Sequence, residues 1–109
     1  MKTFKITVAH EAELFLANTY DYIYLKNPAA AVKWLEGINL KIQELAAFPN
    51  KGSIIPEAEE KEMFSTLRQI FFSMNPSGNT YRIIYTVKDD VLQVVNVITI
   101  RSSSQEPLK

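Results

Sequence analysis

Residues 3–25 read TFKITVAHEAELFLANTYDYIYL, and the fold is decided where the periodicity of this stretch changes. From Thr3 to Val8 apolar and polar residues alternate, with Phe4, Ile6 and Val8 on one side and Thr3, Lys5 and Thr7 on the other. A period of two is that of a strand with one buried face. From His10 the period lengthens. Ala12, Phe15, Leu16, Thr19 and Ile23 share one helical face with Tyr20 and Tyr22 beside it, while Leu14, Tyr24 and Leu25 project from the far side. Asn27-Pro28 then breaks the pattern and restarts it, since proline is tolerated in a helix's first turn and asparagine can cap. Ala31, Leu35, Ile38, Ile42 and Leu45 define a second helix that Pro49 ends. The short break predicts an antiparallel helix pair.

Beyond Pro49 the pattern changes again. Residues 50–66 carry Lys51-Gly52, Pro56 and a charged run from Glu57 to Glu62, which reads as a loop holding at most one helical turn. Three strands are predicted after it, over 67–74, 80–87 and 91–100. Asn75-Pro76-Ser77-Gly78-Asn79 supplies the first turn and Lys88-Asp89-Asp90 the second. The order β-α-α-β-β-β predicts an α+β fold, with the helix pair packed on one face of a mostly antiparallel four-stranded sheet. Residues 1–101 read as a single domain and 102–109 as a polar tail.

Composition narrows the chemistry. The chain has 109 residues, of which 47% are hydrophobic, enough to bury a core without covalent staples. It has no cysteine, so disulfides, thiolate metal sites and cysteine nucleophiles are excluded. His10 is the one histidine, which removes histidine-based zinc centres and serine–histidine relays, and no metal or cofactor is expected. No apolar run reaches the roughly 18 residues of a membrane span. No signal peptide is evident, and a cytoplasmic location is the default expectation. Twelve basic residues balance twelve acidic ones, so the general basic excess of a dedicated nucleic-acid binder is missing.

Several pieces of the chain taken together resemble a known family. They are VAHEAELFLANTYDYI (Val8 to Ile23), NPAAAVKWLEGINLKIQELAAFPNKGSIIPE (Asn27 to Glu57), Leu67-Arg68, TYRIIYTVKDDVLQVVNV (Thr80 to Val97) and Arg101. In this order and spacing they are similar to the RelE/ParE superfamily of toxins from type II toxin–antitoxin, or plasmid-stabilisation, modules. That resemblance implies growth inhibition. ParE-like members poison DNA gyrase, and RelE-like members cut mRNA on the ribosome. Both are neutralised by a cognate antitoxin.

The resemblance also orders the candidate residues. Arg68, Arg82 and Arg101 are the only arginines, and they match the family's Leu-Arg, Tyr-Arg-Ile and post-strand arginines. A guanidinium offers bidentate phosphate contacts that lysine does not, so in a nuclease these three form the catalytic set, with Lys51 as a fourth cation. In a gyrase poison, Arg101 and Arg82 are the target-binding candidates. The alternatives for Arg82 are an ion pair with an acidic residue or cover for the sheet edge by its alkyl stem. RelE-like nucleases commonly place a tyrosine or histidine after the last arginine, whereas here Arg101 is followed by Ser102-Ser103-Ser104-Gln105. Serine hydroxyls titrate too high for tuned acid–base work, so the ParE-like branch is favoured. A relative that keeps only antitoxin binding is the third reading.

Tyr85 reads as core, His10 as an exposed residue at a helix start, and Glu57, Glu59, Glu60 and Glu62 as a solvated loop. Leu14, Tyr24, Leu25, Trp34 and Leu40 lie off or beside the helices' core faces; they belong either to a core broader than two helix stripes or to a groove for the antitoxin, for which they are the candidates. Residues 91–98 are apolar on both faces, which places that strand centrally in the sheet, or under a partner or a second copy in a homodimer.

Overall fold

The computed structural model describes residues 3–64, 66–74, 79–88 and 92–102. Strand β1 (Lys5–Val8) leads through Ala9 into helix α1 (His10–Lys26), and helix α2 (Pro28–Gln43) follows after one residue. Asn27 makes that tight restart possible. Its side-chain carbonyl accepts the Ala30 N–H at 3.1 Å, satisfying one of the donors a helix start leaves open, and Pro28 needs none. A 3₁₀ turn (Glu44–Ala46) continues α2 and accepts the Phe4 N–H on Ala46, tying the start of the chain to the end of the helix pair.

Among the described residues the sheet has five strands, one more than expected, in the order β1-β5-β4-β3-β2. The added strand is β2 (Ser53–Ile54), inside the stretch predicted as loop, which also holds two 3₁₀ turns, Pro56–Glu59 and Glu62–Phe64. Strands β3 (Leu67–Ser73), β4 (Thr80–Lys88) and β5 (Val94–Ser102) form an antiparallel meander, and β1 adds to β5 in parallel. The predicted turn at 75–79 lies outside the described residues except Asn79, and Asp89, Asp90 and Val91 lie outside them too. The last strand starts later than predicted, because Gln93 adopts φ 48° and breaks the extended run. It ends later as well, so Ser102 belongs to the sheet rather than to the tail, while 103–109 lie outside the described residues.

Both helices pack on one face, where Ile70, Tyr81, Ile83, Tyr85, Val95, Val97 and Ile100 meet Ala12, Trp34, Ile38, Ile42 and Leu45. Gly37 allows this closeness at α2, since a Cβ there would stand 2.7 Å from the Phe72 ring of β3. Trp34 corrects an expectation. It is 1% exposed and packs edge-on against Tyr81, with ring centroids 5.4 Å apart, so it is a core residue and is withdrawn from the antitoxin-groove candidates. Its spacing from Ala31 and Ile38 places it on the apolar stripe, and its indole N–H is buried with no hydrogen-bond partner among the described residues.

The opposite face carries a smaller core. Ile55, Leu67 and Ile84 are buried there with Ala58, Phe64 and Ile98 against them, so the 55–64 segment covers one end of that face. A bulge in β5 opposite Ile84/Tyr85 shifts the alternation by one residue: Tyr85 pairs with Val97, but Ile84 pairs with Thr99. Before the bulge Val95 and Val97 face the helices. After it Ile100 does, and Arg101 turns to the other face.

Candidate functional site

Arg82 and Arg101 are directly opposed across β4 and β5, and Phe71 of β3 opposes Arg82 on its other side. Directly opposed residues of antiparallel strands share a face, so these three form one row on the face away from the helices. Phe71 is exposed and both arginines are half-buried. Arg82 is held from two directions. Its two terminal nitrogens donate to the Glu57 carboxylate at 2.7 and 2.5 Å, and its Nε donates to Gln69 Oε1 at 2.7 Å. With side chains 13% and 11% accessible, this Arg82–Glu57 pair is largely withdrawn from water. Glu57 is therefore an ion-pair partner rather than a member of a solvated loop. It sits in the first turn of a 3₁₀ segment that Pro56 initiates and the small second core holds down.

Arg68 lies elsewhere. It opposes Tyr85 on the helix-side face, and its Nη1 donates to the Gly52 carbonyl at 2.6 Å. The Tyr85 hydroxyl accepts the Gly52 N–H at 2.9 Å and donates to the Pro49 carbonyl at 2.9 Å. Together these bonds fasten the loop after α2 to the sheet. Burial pushes the Tyr85 hydroxyl above the ordinary tyrosine value, partly opposed by the Gly52 N–H and the Arg68 charge. A neutral hydroxyl with both hydrogen-bonding roles filled is structural. Lys51 forms a 2.5 Å ion pair with Glu44, whose carboxyl that ammonium's hydrogen bond holds below its ordinary value.

The helix surface divides into three zones, which follow from about 100° per residue around α1. Leu14 and Leu25 form its outermost ridge, 48% and 86% exposed. On one flank, toward α2, Glu13, Leu16, Ala17, Tyr20, Asp21 and Leu35 line a groove of about 330 Å³, with the Tyr24 ring tilted against that of Tyr20, centroids 5.8 Å apart. On the other flank Glu11, Leu14, Phe15 and Asn18 face Thr99, Ile100 and Arg101 across a groove of about 350 Å³. Leu40 is exposed on α2. His10 is exposed at the first position of α1.

The family model described as the ParE toxin of type II toxin–antitoxin systems, parDE, matches residues 6–107. The chain belongs to the ParE toxin family. A solved structure titled as the chromosomal ParDE toxin–antitoxin system from P. aeruginosa superposes with a TM-score of 0.67. It is 17% identical and covers 92% of this chain and 96% of that one. The likeness is one of fold, and the helix pair on a mixed sheet, in β-α-α-β-β-β order apart from the two-residue β2, agrees with it. No curated protein matches.

For this ParE-family toxin the structure sorts the sequence candidates. It brings Arg82 and Arg101 together, sets Arg68 on the opposite face, and joins Leu14 to Arg101 across one groove. Tyr24, Leu25 and Leu40 stay exposed. Sequence reasoning missed Gln69, Gly52 and Pro49 as partners of Arg82, Arg68 and Tyr85. The Lys51-Gly52 turn was a signal for a close approach, but nothing local pointed to what approaches. Among the described residues, no helix is long and apolar enough to cross a membrane.

Proposed function

We propose that this ParE-family toxin arrests growth by binding and poisoning DNA gyrase, without catalysing a reaction, and that a cognate antitoxin neutralises it. The observation that carries the choice between the family's two activities is the enclosure of Arg82 by Glu57 and Gln69. Metal-free RNA cleavage needs several cations around one phosphate. Here one candidate is neutralised in an ion pair, and another, Arg68, points to the opposite face and binds a backbone carbonyl. Arg101 is the target-contact residue in this reading, with exposed Phe71 extending the row. The antitoxin contacts are the exposed helix residues Leu14, Tyr24, Leu25 and Leu40.

The test is induction of the chain alone in cells carrying a DNA-damage reporter, paired with supercoiling by purified gyrase. Growth arrest, an active reporter and accumulation of cleaved DNA are expected, and Arg101→Ala abolishes all three while its circular dichroism stays that of the wild type. Arrest with a silent reporter overturns the gyrase reading in favour of ribosome-dependent mRNA cleavage. Unimpeded growth identifies a relative that has lost toxicity.

A further inference from the structure

Strand β1 forms one margin of the sheet, and its outer side carries open backbone groups. The Lys5 and Ala9 N–H groups donate to the Gln93 and Val97 carbonyls at 2.9 and 2.8 Å, so Lys5, Thr7 and Ala9 direct their backbone to β5. Alternate residues of a strand aim their N–H and C=O groups to opposite sides. Ile6 and Val8 therefore direct theirs away from the sheet, where no described strand lies. Phe4 shares their parity, but its N–H already donates to the Ala46 carbonyl at 2.8 Å. Natural sheet edges are blunted by proline, bulges or inward-pointing charges. Here the strand reads Lys5-Ile6-Thr7-Val8, three β-branched residues with a single charge at one end.

The open groups fit a second copy of β1, run antiparallel, in one register. Ile6 opposite the partner's Ile6 would set the partner's Val8 beside Phe4, where Ala46 stands. Val8 opposite the partner's Val8 would leave Ile6 facing His10, which is helical. Ile6 opposite the partner's Val8 uses both open residues of each copy and forms four main-chain bonds, with the two-fold axis at Thr7. In that register the half-buried Ile6 and Val8, which pack against the main core from the helix side, cover each other's outer flanks. Thr7 faces Thr7 on the other side of the sheet, and Lys5 faces Ala9, so no like charges are opposed.

We propose that a second copy of this chain docks on β1, edge to edge and antiparallel about Thr7, joining two sheets into one. Such a contact is isologous and closes as a dimer. Its axis is perpendicular to the sheet, so both copies carry Arg101 on the same face. With Thr7 opposite Asn96, the two Arg101 residues stand roughly 30 Å apart. The pairing needs neither gyrase nor antitoxin. A four-residue edge buries less than the about 1,200 Å² at which stable interfaces begin, so the dimer forms at high protein concentration.

The experiment uses the purified full chain, which has no cysteine of its own. In sedimentation the mean mass should rise with concentration toward that of two chains. Paired Thr7 residues have Cα atoms about 4.5 Å apart, within disulfide reach, so Thr7→Cys should give a linked dimer under mild oxidation. Lys5→Cys, more exposed but about 14 Å from its mate, should link slower by roughly tenfold or more. Thr7→Lys opposes two like charges and should weaken the dimer roughly tenfold. Thr7→Val loses the same 3.0 Å hydroxyl bond to Asn96 Oδ1 without adding charge, and should keep the dimer. A chain that stays monomeric at every concentration overturns the proposal. So does a dimer that Thr7→Lys leaves intact, or one that Lys5→Cys links as fast as Thr7→Cys, since the copies then meet elsewhere.

Discussion

Tyr85→Phe tests whether the loop after α2 is held by hydrogen bonds or by shape. The ring is fully buried and phenylalanine refills it, so little packing is lost. What disappears is the hydroxyl that accepts the Gly52 N–H and donates to the Pro49 carbonyl, both at 2.9 Å. Gly52 is buried, so its N–H loses its partner without access to water. Pro49 is half-buried and regains hydration at lower cost. Stranding a buried backbone group costs about 1–3 kcal/mol, and we expect about 2 kcal/mol in all. For a chain of this size that lowers the melting temperature by about 8–10 °C. Urea unfolding should show a lower midpoint at unchanged slope. A melting temperature within about 2 °C of the wild type would refute the reasoning, since the loop would then be held by packing alone. The same variant carries a pH signature. Burial raises the folded hydroxyl above the ordinary value of about 10, so above that pH the unfolded chain releases a proton that the folded one keeps. The Tyr85 contribution is therefore complete below about pH 10 and lost as pH rises through the folded value, and Tyr85→Phe should flatten that part of the alkaline decline.

Three further outcomes follow from the packing. Glu57→Gln leaves Arg82 largely buried without its counter-charge and should cost about 3 kcal/mol in urea unfolding, with the Glu57→Gln/Arg82→Met pair recovering part of the loss. Gly37→Ala sets a methyl 2.7 Å from the Phe72 ring; overpacking of about 1–3 kcal/mol outweighs roughly 1 kcal/mol of helix propensity, so the melting temperature should fall, and Phe72→Leu in the same chain should restore it. Leu25→Lys, at the most exposed apolar position of α1, should change stability by less than about 0.5 kcal/mol, while titration against the antitoxin should show weaker binding.

Much of this architecture was legible residue by residue. The switch of period near Ala9 located β1 and α1, and Asn27-Pro28 located the restart because capping and proline chemistry act within one turn. Local periodicity does not report what covers a residue from far along the chain. Trp34 looked like a flank residue until Tyr81 of β4 was seen packed on its ring. Glu57 looked solvated because its partner is 25 residues away, and β2 was hidden because a two-residue edge strand has no period to detect.

The sequence by itself determined the order of the elements other than β2, the antiparallel helix pair, most of the buried stripe of α2 and the family. Each is written in spacings of a few residues, or in motifs matched in order. Tertiary structure alone decided the faces of the arginines. Strict alternation from Val95 and Val97 would place Arg101 among the core residues, beneath the helices. The bulge opposite Ile84/Tyr85 shifts the strand by one residue, so Ile100 is buried instead and Arg101 stands beside Arg82. A one-residue slip exchanges the two faces of a strand. It is fixed by which side chains the neighbouring strand and the helices can accommodate, and that choice is made only when the sheet assembles.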